Sequence, residues 1–235
     1  IIANLKYADH VVVYFHDGPY RALFERLNIR LYHVQGIFHL FDFVALFRLT
    51  KLLYSIKPDQ VHSLLWGANC FARISCSLLR IPLVSSLHNN IEQNGSVRIA
   101  IEKIVPAYGK MVAVSEQVKQ SYISHFGLTP ITVIKNGISV LPSTHIITRQ
   151  ELGIETSDFV IGSVGRFEPI KRYAVLLKAV QVLTLAFPHL KCVLVGSGSQ
   201  EQFLRKHANA LGISSNVIFV INKEANCYYT LFDCF

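Results

Sequence analysis

The sequence predicts an α/β chain built from two doubly wound parallel-sheet halves. Short runs rich in Val, Ile and Leu alternate with longer helical patterns from end to end, the spacing of βαβ units. Hydrophobic residues make up 51% of the 235 and charged residues only 16%, as expected where helices cover both faces of parallel strands. One stretch rich in Gly, Ser, Pro and Thr, Asn136 to Gln150, interrupts the alternation and reads as an inter-domain connection.

In chain order, the first half, residues 1–141, offers strands at Val11–Phe15, Arg30–Val34, Gln60–Leu64, Leu83–Leu87, Met111–Val114 and Ile131–Ile134. Helical patterns fill the gaps at Pro19–Leu27, Leu40–Ser55, Ala68–Leu79, Val97–Ala107 and Glu116–His125. The second half, residues 142–235, offers strands at Phe159–Val164, Lys191–Val195 and Val217–Val220, with helices at Arg172–Ala186 and Gln200–Leu211. Such halves bind ligands at the carboxyl ends of their strands, so the loops there are where chemistry is sought.

Composition narrows the function classes. The most apolar long stretch, Ile37 to Ile56, is broken by Asp42, Arg48 and Lys51, which excludes a membrane span. No signal peptide is expected from Ile1 to Leu5, and the single Met, Met111, points to an incomplete N-terminus. Cys70, Cys76, Cys192, Cys227 and Cys234 are odd in number without a C-x-x-C pair, and read as reduced thiols of a cytoplasmic protein. The net charge of +8 fits a polyanionic partner. Its Lys and Arg are scattered rather than clustered, so most fit a solvated surface, and charge alone does not choose among nucleic acid, anionic lipid and a phosphorylated small molecule; nucleic acid is not the partner expected here.

The segment Val160 to Lys171 carries the most chemistry. A buried strand ends in Gly162 and Gly165, followed by Arg166 and, five residues on, Lys171 at the opening of a helix. Gly165 lets the backbone approach a ligand closely, Arg166 offers a planar fork for phosphate oxygens, and a helix N-terminus favours anions. The same residues also fit a surface Arg and Lys after a tight turn, and spacing alone does not separate the two. A second loop, Gly196-Ser197-Gly198-Ser199-Gln200, lacks the sixth-position Gly and the later acidic residue of a dinucleotide fingerprint. His88-Asn89-Asn90 closes a strand and is a candidate substrate contact; a structural His fits equally. No P-loop, H-E-x-x-H or G-x-S-x-G occurs. The absence of D-x-D and of zinc-ligand spacing leaves a metal no obvious seat.

Several segments together resemble glycosyltransferase family 4, the retaining enzymes of GT-B fold. Lys57-Pro58-Asp59-Gln60-Val61-His62 is similar to "kPDivh", Ile81-Pro82-Leu83-Val84 leading to His88 to "iPvv...H", and Val112 to Val118 to "vaVSeav". Val133 to Ile138 resembles "vipNGi", and Gly165-Arg166-Phe167 with Lys171 resembles "GRl…K". Leu177-Lys178-Ala179, Leu194 to Gly198, and Tyr228 to Phe235 (similar to "yy..aDvf") complete the order over nearly the whole chain.

The resemblance implies two Rossmann-like domains: an acceptor-side first half and a second half holding a UDP- or GDP-sugar as substrate, with reaction in the cleft between them and no cofactor or metal. It implies that Arg166 and Lys171 grip the donor diphosphate beside Gly165, that Gly196 and Gly198 admit the nucleotide, and that His88 lies near the transferred sugar, with Asn89 and Asn90 on the acceptor side. The acceptor would be a saccharide or glycolipid. The basic, aromatic first half is compatible with peripheral contact at the inner face of the cytoplasmic membrane. Family members start with a strand and Gly-rich loop and continue into an E-x7-E motif, none of which is in this sequence. Both halves are therefore expected to be incomplete, with Val193, Val195, Ile218 and Val220 partly uncovered. The alternative is a non-catalytic remnant that at most binds a nucleotide or partner. A nucleotide-sugar epimerase of the same architecture is a third reading, disfavoured by the "GR…K" and "VSE" combination.

Overall fold

A computed structural model describes residues 8–18, 20–36, 42–91, 95–127, 130–137 and 146–235. The chain divides into two compact units, Ile1–Ile138 and Ser139–Phe235. The boundary expected after residue 141, the helix starts expected at Pro19 and Leu40, and most of the connection before Gln150 lie outside the described residues.

In the first unit, β1 (Val11–Tyr14) and β2 (Arg30–His33) pair in parallel around α1 (Arg21–Arg26). Then α2 (Phe43–Ile56), β3 (Val61–Leu64), α3 (Trp66–Leu79), β4 (Leu83–Leu87), α4 (Gly95–Ile104), β5 (Lys110–Ala113), α5 (Glu116–Phe126) and β6 (Ile131–Val133) follow. Strands β3-β4-β5-β6 form a second parallel sheet in sequence order. The two sheets share no backbone pairing among the described residues, yet Val13 of β1, Phe15 just after it and Val34 just after β2 pack into the same core as Leu49, Leu53, Cys76 and Leu83. That shared core, rather than a hydrogen-bond ladder, joins them.

Local signals explain most boundaries. Asp42 caps α2 by accepting from the N–H groups of Val44 and Ala45, each at 2.9 Å. Ser115 caps α5 through the Val118 N–H, and Gly127 closes it at φ 62°. α3 starts at Trp66, two residues before the expected Ala68, because the chain turns at Leu65 with φ 72° and ψ 157°. A bulky residue is held there against its steric preference.

One interaction inside this unit stands apart. Arg73 of α3 and Glu102 of α4 form an ion pair with both side chains 2% exposed. The Cys70 thiol donates to the other Glu102 oxygen at 3.5 Å, and burial, with Glu102 beside it, pushes that thiol up to about 12.

The second unit holds β7 (Phe159–Val164), α6 (Tyr173–Ala186), β8 (Leu190–Gly196), α7 (Glu201–Ala210) and β9 (Val217–Ile221), with strand order β7-β8-β9, all parallel. Cys234 makes a parallel bridge to Ile161 on the free edge of β7, and the Gly162 N–H donates to its carbonyl at 2.8 Å. A further parallel strand therefore starts near Asp233. Asp233 anchors it: its carboxylate accepts from the Val160 N–H and from Arg149 through both oxygens at 2.7–2.8 Å. Those contacts, the Val160 bond foremost, hold its pKa below the usual carboxylate value.

The expected uncovering of this sheet is corrected. Val193, Val195 and Val220 are buried and Ile218 is partly so, packed with Ile154, Val160, Tyr228 and Leu231. Two 3₁₀ turns, Ala225–Cys227 and Tyr229–Leu231, fold the tail across that face. Tail side chains, Tyr228 and Leu231 among them, do the covering.

Candidate functional site

Strands β7 and β8 are neighbours, so the loops leaving their carboxyl ends lie side by side. They are knitted together. The Gly165 N–H donates to Val195, the Phe167 N–H to Ser197 and the Gln200 N–H to Phe167, at 2.9–3.0 Å. The Glu168 carboxylate accepts from the Ser199 hydroxyl at 2.8 Å and from its N–H at 3.2 Å. These two bonds, the hydroxyl's first, hold the Glu168 pKa below its ordinary value, with Arg166 adding in the same sense.

Phe167 fastens the first loop to the core. It is fully buried and meets Tyr173 and Phe219 edge-on at ring distances of 5.1 and 6.2 Å. Arg166, just before it, is exposed, and so is Lys171, four residues on. Neither makes a side-chain ion pair or hydrogen bond among the described residues. The loop thus carries two cations, and the acid between them in the chain, Glu168, is already committed to Ser199.

The two glycines of the second loop have a structural reason that the sequence reading missed. A Cβ on Gly196 would lie 1.9 Å from the Gly165 carbonyl oxygen, and one on Gly198 2.6 Å from that of Phe167. They are small because two backbones touch.

Lys171 does not open α6, as the spacing had implied. It ends a 3₁₀ turn, Pro169–Lys171, and the helix begins at Tyr173 after Arg172, whose φ is 53°. A left-handed Arg costs what a Gly would not. Arg172→Gly is therefore expected to raise stability by about 1 kcal/mol, read as a higher urea midpoint with unchanged slope. A lower midpoint would show that the Arg side chain contributes more than its backbone costs.

In the first unit, His88 follows β4, half-buried, with Asn89 exposed and Asn90 partly so. Three buried polar atoms there lack a hydrogen-bond partner: His88 Nε2, Trp66 Nε1 and Asn69 Oδ1. Asn69 spends its Nδ2 on the Ser86 carbonyl at 2.9 Å, two residues before His88. The Ser86 hydroxyl meets His62 Nε2 at 2.7 Å, and burial, with His88 acting in the same direction, lowers the His62 pKa. Arg98 lies over the Trp66 ring at 5.2 Å. Buried polar atoms are nearly always paired, and three unpaired ones lie near the ends of β3 and β4 and in the first turn of α3. His62, Trp66 and Asn69 escaped the sequence reading. Their only signal was a place in β3 (His62) or shortly after it (Trp66 and Asn69).

Known proteins match this arrangement. The sequence model of Glycosyltransferase Family 4 matches residues 2–140, and that of Glycosyl transferases group 1 matches residues 145–234. The D-inositol 3-phosphate glycosyltransferase of Segniliparus rotundus is 27% identical over 183 residues, 68% of this chain and 40% of the relative. That of Corynebacterium glutamicum is 26% identical over 230 residues, 86% of this chain and 53% of the relative. The chain therefore spans about half the length of these curated relatives. Among solved structures, Anabaena Alr3699/HepE in complex with UDP-glucose matches with a TM-score of 0.75 at 21% identity, over 91% of this chain and 61% of that one. A glycosyltransferase from Rickettsia africae matches with a TM-score of 0.63 at 14% identity, over 92% of this chain and 61% of that one. At these identities the structural likeness establishes a GT-B fold of Rossmann-like units.

Proposed function

We propose, since the chain belongs to Glycosyltransferase Family 4, that it serves transfer of a sugar from a nucleotide-sugar donor to a saccharide or glycolipid acceptor, with retention at the sugar carbon and without a metal. The observation that carries this reading is the knitted loop pair that holds Arg166 and Lys171 outward at the carboxyl edge of β7 and β8. Breaking a glycosyl–phosphate bond builds negative charge on the departing diphosphate. Cations fixed where that charge grows stabilise the transition state more than the ground state. In this reading Arg166 and Lys171 supply the charge that a divalent cation would otherwise bring, and Gly165, Gly196 and Gly198 let backbone lie close to the nucleotide.

The acceptor-side role falls to the first unit. His88 would meet the developing oxocarbenium-like sugar, with Asn89 and Asn90 beside the acceptor. The reading includes action in the cytoplasm, peripherally at the inner membrane face when the acceptor is a lipid. Free Cys70, Cys76 and Cys192 thiols fit that compartment.

The UDP-glucose bound by the Anabaena protein makes UDP the first nucleotide to test. Calorimetric titration is expected to detect UDP or GDP binding that Arg166→Ala weakens by about 1.5–3 kcal/mol, the worth of a charge-assisted contact. Equal affinity in the two proteins would overturn the diphosphate assignment. His88→Ala is expected to leave both nucleotide affinity and melting temperature in place while abolishing transfer. If no nucleotide binds, the non-catalytic alternative gains.

A further inference from the structure

An acid between two cations that grip a diphosphate would weaken the grip if charge were its only property. Glu168 stands in that place, two residues after Arg166 and three before Lys171. Among the described residues it forms no ion pair with either. One carboxylate oxygen accepts from the Ser199 hydroxyl and the other from the Ser199 N–H, across the gap to the glycine loop. Its backbone is bonded on both sides as well. The Glu168 N–H donates to the Arg166 carbonyl at 2.8 Å, and the Glu168 carbonyl accepts from the Lys171 N–H at 2.9 Å. A single residue thus connects both cation-bearing positions to the facing loop.

We infer that Glu168 is a positioning residue for the donor diphosphate, its carboxylate clasped to Ser199 so that Arg166 and Lys171 are held in place before the nucleotide arrives. The inference rests on the donor reading above and deepens it. Up to Phe167 the loop is fixed by backbone bonds to Val195 and Ser197 and by a buried ring. Beyond Phe167 that anchorage ends. Pro169 has no N–H to give, Ile170 is 69% exposed and Lys171 is exposed. Among the described residues, the Glu168 carboxylate makes the only hydrogen bonds that tie residues 168–171 to the glycine loop. A segment ordered in advance spares the ordering cost that binding would otherwise carry.

Calorimetric titration of the whole chain with UDP tests this through the sign of an effect. By charge alone, Glu168→Ala would tighten UDP binding, because a negative charge near the diphosphate is gone. Positioning predicts the reverse: binding weaker by about fivefold or more. Ser199→Ala should shift it in the same direction, and the double variant should bind no more weakly than Glu168→Ala. Glu168→Gln, whose amide oxygen can still accept from Ser199, should recover part of the affinity. Because Glu168 acts through the cations, Lys171→Ala should cost less in the Glu168→Ala background than in the wild type. Every variant should unfold near the wild-type urea midpoint, since the clasp lies at the surface. Tighter or unchanged UDP binding by Glu168→Ala would overturn the inference. So would independent, additive losses for Glu168 and Lys171, or a urea midpoint low enough for unfolding to explain the lost affinity. These outcomes leave the donor reading standing, whereas a wild type that binds neither UDP nor GDP would overturn both.

Discussion

Glu102→Ala is expected to lower the stability of the first unit by about 3–5 kcal/mol, the cost of stranding a buried charge. Arg73 is fully enclosed, and its Nε already lacks a partner. Removing the carboxylate leaves the guanidinium desolvated with only the weak contact to the Cys70 sulfur at 3.9 Å. Trp66, the single Trp, lies on α3 one helical stretch before Arg73, under Arg98 of α4. Its fluorescence therefore reports on the same helix pair during urea unfolding. Replacing both partners at once, Arg73→Met with Glu102→Leu, should recover most of the loss, since well-packed apolar residues fill such a site at little cost. A loss under about 1 kcal/mol for Glu102→Ala would mean that water reaches the pair and that its burial does not govern its energy.

Gly196→Ala should separate two loops that the second unit needs in contact. The added methyl would sit 1.9 Å from the Gly165 carbonyl oxygen, with the Phe167 ring at 3.2 Å. The nearest obstacle is backbone, which cannot rotate away as a side chain would. Overpacking of this kind costs about 1–3 kcal/mol and sometimes more, and here it also breaks the Gly165–Val195 bond and strains the Glu168–Ser199 contact. The expected result is a lower melting temperature together with loss of UDP binding beyond that of Arg166→Ala. Gly198→Ala, at 2.6 Å from the Phe167 oxygen, should act in the same sense and less severely. Retained nucleotide affinity in Gly196→Ala would detach the glycine loop from the donor site.

The alternation of the nine strands and seven helices among the described residues was legible because parallel strands buried on both faces read as unbroken apolar runs. Periodicity also found α2 and α5, whose caps at Asp42 and Ser115 are written into the sequence. The start of α6 was missed by one residue and its approach by more, because a 3₁₀ turn and a left-handed Arg172 leave no periodic trace. The division of the first unit into two sheets was not legible at all, since strand neighbours are chosen by tertiary packing. At the site, the exposure of Arg166 and Lys171 followed from the Gly-Arg loop after an apolar strand. The Glu168–Ser199 bond and the orphaned Asn69 did not, because each depends on partners brought together from distant positions. The cover over Val193, Val195 and Val220 was misjudged for a related reason: Tyr228 and Leu231 were read as family markers, and their bulk was not counted as packing.

The separateness of β1 and β2 has a consequence for how the chain opens. Two strands alone are marginal in water, and this pair is held by Val13 and Phe15 against the α2–α3 core, with the Phe15 and Phe71 rings 5.5 Å apart. Its amides can therefore exchange with solvent through a local event that leaves the four-stranded sheet closed. Native-state exchange should then divide the first unit into two cooperative blocks, an early one from Val11 to His33 and a late one centred on β4 and β5. The size of the gap between them is set by how firmly a few side chains, Val13, Phe15 and Val34, grip the neighbouring helices.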